Sequence, residues 1–204
     1  MKFKRFTLVL SCLLLIVLSG GIRADIIVDS ANFQYVEVPF ASYELALTSS
    51  SSQFANFYLS LNPSHEVNPE GWTLGIGHAY FELAFNTAFT PELALTAIPF
   101  ADSLTATIGG PIDASINTSF YLGYWLDENN SSAPDFGDNF GWVLIERIGD
   151  ELVLVDSAME TTGAGIYIGT FEAVPEPTTM SLLILSLGVI TYYRRVRTTG
   201  AARN

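Results

Sequence analysis

Lysine is missing from the whole stretch between Asp25 and Pro177, and arginine appears there once, at Arg147. Against 21 acidic residues that single cation leaves the stretch a net charge of −20, although the 204-residue chain as a whole carries −12. Nucleic acid is excluded as a partner, because phosphate recognition requires neutralising basic side chains. Anionic lipid and acidic polysaccharide are repelled for the same reason, whereas solubility and attraction of divalent cations are favoured. Cysteine occurs once, at Cys12, so no disulfide can staple the body of the chain and burial alone must hold it. Histidine occurs only at His65 and His78. Without a nearby cysteine, two histidines do not make the three or four ligands that zinc needs. No nucleophile elbow is present. The Gly75-Ile76-Gly77 and Gly163-Ala164-Gly165 triplets do not open helices, so phosphate-loop readings fail. A sustained 3.6-residue apolar period is also missing from residues 25–173, which leaves strands as the expected element.

The other eight basic residues lie at the two ends. Lys2, Lys4 and Arg5 precede an apolar run from Phe6 to Leu18, and small residues follow at Ser19, Gly20, Gly21 and Ala24. This three-part layout predicts a secretory signal peptide over 1–24, cleaved after Gly21 or Ala24. Toward the other end, the 16 residues from Thr178 to Tyr193 are mostly apolar and are followed by Arg194, Arg195 and Arg197. A helix of that length reaches about 24 Å against a bilayer core of about 30 Å. It spans only if Tyr192, Tyr193 and the arginines reach out to the interface. Its seven strongly apolar side chains contribute about −2 to −4 kcal/mol to insertion, so it would be a marginal anchor with its arginines on the cytoplasmic side.

Just before that run stands Pro175-Glu176-Pro177. Both prolines lack a backbone donor and restrict the residue before them, so the tripeptide is held extended. This order of Pro-Glu-Pro, short apolar helix and arginine cluster, behind an export signal, resembles the PEP-CTERM sorting signal, with 174–197 as the signal and 198–204 as an extra tail. The resemblance implies an exported protein of a Gram-negative bacterium that makes extracellular polysaccharide. It implies passage through an inner-membrane intermediate to the cell surface or matrix. It also implies an exosortase-type sorting enzyme as partner, acting near Pro175, Glu176 and Pro177.

Between the ends, apolar and aromatic runs recur every 10 to 15 residues with turn residues between them. The runs begin at Ile26, Asn32, Tyr43, Phe54, Trp72, Leu93, Leu104, Phe120, Trp142, Glu151 and Ile166. Breaks fall at Pro63, Pro69-Glu70-Gly71, Gly109-Gly110-Pro111, Pro134–Gly137 and Gly163–Gly165. About ten strands without helices predict an all-β fold, an antiparallel two-sheet sandwich or jelly roll over 25–173. The clearest hairpin joins Trp142–Ile148 to Glu151–Ala158 through Gly149-Asp150. Leu152 and Leu154 alternate with Val153 and Val155, which predicts a strand buried on both faces. The segments FYLGYWL, NFGWVLIE, LVDSA and GIYIG are similar to the C-terminal half of many PEP-CTERM surface proteins. A purely physical account of the Gly141-Trp142 pair is that the glycine lets the chain bend and the indole plugs the core.

Asp127, Glu128, Asn129, Asp135 and Asp138 form the densest polar cluster, on a loop between two strands. They are the candidate calcium ligands, because calcium takes several carboxylate and carbonyl oxygens, although EF-hand spacing is absent. No other cofactor is expected. Paired carboxylates carry no weight in so acidic a chain, since some pair falls within catalytic reach by chance. Tyr121, Tyr124, Trp125 and Trp72 suit either core packing or a sugar-stacking platform. The leading expectation is therefore a non-catalytic, membrane-anchored or sorted surface or matrix protein, in contact with extracellular polysaccharide. The alternatives are a carbohydrate-binding module or weak glycan hydrolase, and an unprocessed single-span envelope protein.

Overall fold

A computed structural model describes residues 26–28, 31–36, 42–48, 54–62, 66–72, 76–115 and 118–175. The expected signal peptide, the apolar run 178–193, the arginine cluster and the tail 198–204 lie outside the described residues. Among the described residues, no helix is long and apolar enough to cross a membrane.

Every strand pair is antiparallel. Four consecutive strands, β2 (Ala31–Val36), β3 (Ser42–Thr48), β4 (Phe54–Leu61) and β5 (Glu66–Trp72), form a meander that β10 (Ile112–Asp113) extends to a five-stranded sheet. The larger sheet has seven strands. Its centre is a second meander of β11 (Ser119–Leu126), β12 (Asn139–Ile148) and β13 (Glu151–Glu160). β1 (Ile26–Val28) borders β13 on one side, and β6 (His78–Leu83), β8 (Ala101–Asp102) and β9 (Thr107–Ile108) follow β11 on the other. A small ribbon of β7 (Ala88–Phe89) and β14 (Ile166–Tyr167) completes the strands, with Ala173 bridging to Ile166.

The two large sheets enclose the main core. Tyr43, Leu45, Phe57 and Leu59 of one meet Tyr80, Leu122, Tyr124, Val143 and Ile145 of the other. Phe57 stacks on Tyr80 with centroids 4.4 Å apart. Each such side chain contributes about 1.5–3 kcal/mol by leaving water. The antiparallel sandwich expected from the apolar periodicity is thus present. The seven-stranded sheet is also covered on part of its outer face. There Phe81, Trp125, Phe140 and Trp142 meet Phe89, Ala94, Ile166 and Ile168.

Four local expectations are corrected. The run from Leu93 to Phe100 is not a strand: Pro91–Thr96 is a helical turn, α1, begun by Thr90 as N-cap with Pro91 and Glu92 in its first turn. Pro69-Glu70-Gly71 does not break the chain but lies inside β5, where a bulge sets Gly71 opposite Tyr58 and Pro69 opposite Leu59. β10 pairs only with Glu66 and Val67, so no ladder bond from Pro69 is demanded on that side. The run beginning at Trp72 splits, with Trp72 closing β5 and His78 opening β6. Finally, β13 is not buried on both faces throughout. Val153 and Val155 are 37% and 49% exposed, because the ribbon and α1 reach only its far end, around Ala158.

The Gly149-Asp150 turn is as expected, with Ile148 opposite Glu151 and Gly149 at φ 65°. Gly141 lies in unbroken register with both neighbouring strands. A Cβ there would strike the Tyr124 ring directly across the ladder, so the glycine makes room for that ring, whose hydroxyl donates to Ala158 O at 3.2 Å.

Candidate functional site

The loop between β11 and β12 gathers all five candidate calcium residues. Its two inner carboxylates are buried, Asp127 at 2% and Asp138 at 0% exposure. Asp138 accepts from Trp125 Nε1 at 2.7 Å, Asp135 N at 2.9 Å and Glu128 N at 3.1 Å. Asp127 accepts from Ser131 N and Ser132 N, both at 2.9 Å. Asp135 accepts from Gly137 N at 2.6 Å and Asn129 Nδ2 at 2.8 Å, and Glu128 accepts from Asn139 Nδ2 at 2.6 Å. Burial pushes the Asp138 carboxyl above its ordinary value, against the pull of the Trp125 and Asp135 donors. The Gly137 N–H holds Asp135 below its own ordinary value. These carboxylates therefore bind donors of the loop and of its two flanking strands, around a backbone that passes through positive φ at Asn130 and Ser132. Among the described residues, no group of three or more His, Cys, Asp or Glu side chains is set to hold a metal ion.

His78 is a core residue. Its Nδ1 lies 2.7 Å from Ile76 O, which makes Nδ1 the protonated nitrogen, and its ring meets Tyr80 edge-on at 5.8 Å. Burial lowers its pKa, against the Ile76 carbonyl and Asp102, which raise it. His65 and the Trp72 side chain lie outside the described residues.

Of the proposed platform aromatics, Tyr124 and Trp125 are buried in the two cores and face no solvent. Tyr121 behaves otherwise. It is half-buried on the outer face and belongs to a row that no sequence pattern marked, because its members come from four separate segments. Phe85 lies 6.1 Å from Tyr121, Tyr121 lies 5.8 Å from Trp142, and Trp142 lies 5.8 Å from Phe171. Phe85 is 61% exposed and Phe171 50%, whereas Trp142 is sealed beneath them at 1%. Two tight turns present the outer rings. Asn86 N bonds to Ile168 O at 2.8 Å and Ile168 N to Thr87 O at 3.0 Å, which ties the Phe85 turn to the 168–171 turn. Trp142 Nε1 donates to Thr170 O at 2.8 Å. Gly169, at φ 76°, leaves the space in which the Phe85 and Tyr121 rings rest.

The compact unit ends close to Pro175-Glu176-Pro177. Its last residue is Val174, whose N–H donates to Gly165 O at 2.9 Å, and Pro175 is exposed. Glu176 and Pro177 lie outside the described residues.

Comparison with family models, curated proteins and solved structures found no match to this chain.

Proposed function

We propose that this chain is an exported, non-catalytic surface or matrix protein, held at the inner membrane by the run 178–193 and sorted through Pro175-Glu176-Pro177 by an exosortase-type enzyme. The observation that carries the reading is the order of parts: an export-type N-terminus, an acidic antiparallel sandwich, the proline-flanked glutamate, an apolar run and then Arg194, Arg195 and Arg197. The position of the fold's end supports it. A processing enzyme binds an extended segment, and the compact unit ends at Val174, immediately before the tripeptide. The charge supports it too, since a net −20 over 25–177 keeps the body soluble and away from anionic surfaces.

The test is to delete 175–204 and follow where the protein goes. The expected result is loss of the envelope-bound form and release of the soluble body. An unchanged location and size would overturn the reading. Mass analysis of the mature protein separates sorting from plain anchoring, because an intact Arg203-Asn204 end on every molecule excludes processing.

A further inference from the structure

We infer that Phe85, Tyr121 and Phe171, the accessible rings of the aromatic row packed over Trp142, together with the cleft beside them, bind a neutral polysaccharide chain. This site is independent of the sorting signal. Phe85 and Phe171 are the reason to look here. A phenyl ring left in water is common, but the turns that carry these two are tied together by backbone hydrogen bonds, and Gly169 yields the space in which the Phe85 ring rests. The backbone under both rings is therefore already ordered before anything binds, which lowers the entropy cost of binding. Tyr121 lies between them at the surface, so the rings form a strip rather than a single spot.

Beside Phe85 and Tyr121 opens a shallow cleft of about 390 Å³, also lined by Glu82, Leu83, Ser119 and Phe120. It exists because β6 leaves the sheet after Leu83, so the β6–β11 ladder ends at Tyr121 and Ser119 and Phe120 have no partner residue on β6. The cleft thus combines ring faces with an exposed carboxylate, a hydroxyl and a short free strand edge. Such a surface matches a sugar chain, whose C–H faces lie on aromatic rings and whose hydroxyls donate to carboxylates and exchange hydrogen bonds with backbone. An added peptide strand fits less well, since the free edge is only two residues long. Anionic ligands are disfavoured by charge. Arg147 is the only cation in the folded stretch, and its guanidinium is buried elsewhere. An anionic chain is therefore the wrong ligand, whereas a neutral one meets no charge penalty.

The experiment is affinity electrophoresis of the full chain through gels containing hydroxyethylcellulose, dextran or galactomannan, with alginate as the anionic contrast. Retardation by at least one neutral polymer and none by alginate is expected. Phe85→Ala and Phe171→Ala should each weaken that retardation roughly tenfold, the scale of losing one stacked ring. Ile98→Ala, at a residue 88% exposed on another segment, should leave it unchanged. If an alanine variant fails to fold, Phe85→Leu keeps packing against Gly169 and removes only the ring, and the same loss is expected. The inference is overturned if no neutral polymer retards the wild type, or if Phe85→Ala and Phe171→Ala both run as it does. It is equally overturned if these variants abolish concentration-dependent self-association instead, which would make the strip an interface between copies.

Discussion

Arg147 is the one basic side chain in the acidic stretch, yet it does not offset surface charge, because it is 1% exposed. Its Nη1 donates to Ala114 O at 2.8 Å and its Nε to Gly149 O at 2.7 Å, while Nη2 sits 3.4 Å from an Asp150 carboxylate that is fully in solvent. The guanidinium ties the segment after β10 to the β12–β13 turn, and its carbonyl partners matter more than its ion pair. Arg147→Ala leaves two carbonyls short of a donor and opens a void, and should cost about 2–4 kcal/mol in urea unfolding. Asp150→Ala should leave the midpoint nearly unchanged; an equal loss in both variants would show the ion pair to be the lock. His78 gives a pH signature. Its folded pKa lies below the ordinary 6.5, so the folded state takes up its proton later than the unfolded state. Its contribution to stability is full above that value and falls as pH drops below it toward the folded pKa. The urea midpoint should therefore decline between pH 7.5 and 5.5, and His78→Asn should flatten that decline.

At the scale of elements, the legible parts were those whose chemistry is local. β12 and β13 could be read because alternation and Gly149-Asp150 act within twenty residues, and the turn is fixed by a positive φ that glycine accepts. Gly149→Ala should cost about 1 kcal/mol on that account, measured by thermal unfolding. The helix α1 was missed although Thr90, Pro91 and Glu92 are start signals, because six residues are too few to display a 3.6 period. The bulged β5 was missed because Pro69 and Gly71 read as punctuation, whereas the register of β4 and the shortness of β10 make them tolerable. Burial on one face of β13 could not be read from its own residues, since it depends on how far the β7–β14 ribbon reaches. The acidic loop was located correctly in sequence, but its internal bonding was not legible: carboxylates that pair with their own loop look like carboxylates free for a cation. The aromatic row was invisible for a related reason, as it is assembled across Phe85, Tyr121, Trp142 and Phe171 only by folding.

At the scale of the whole molecule, charge and burial oppose each other. Residues 25–177 carry a net −20, and the sandwich within them has two cores and no disulfide to hold them. Self-repulsion of that size weakens a compact state, and dissolved salt screens it over about 10 Å at 0.1 M. Raising NaCl from 10 mM to 0.5 M should therefore raise the thermal midpoint by several degrees, since about 1 kcal/mol moves a domain of this size by about 2–4 °C. Calcium tests whether anything more specific occurs. Asp127, Asp135 and Asp138 already accept hydrogen bonds from Ser131, Ser132, Gly137, Asn129, Trp125, Glu128 and Asp135 backbone or side-chain donors. A calcium ion would have to displace those donors or share their oxygens, and both routes cost part of the order that shapes the loop. Midpoints in CaCl₂ should therefore fall on the NaCl curve at equal ionic strength. A calcium curve that rises clearly above it, and returns on Asp127→Asn, would mean that the loop rearranges around the ion and that its carboxylates serve more than the fold.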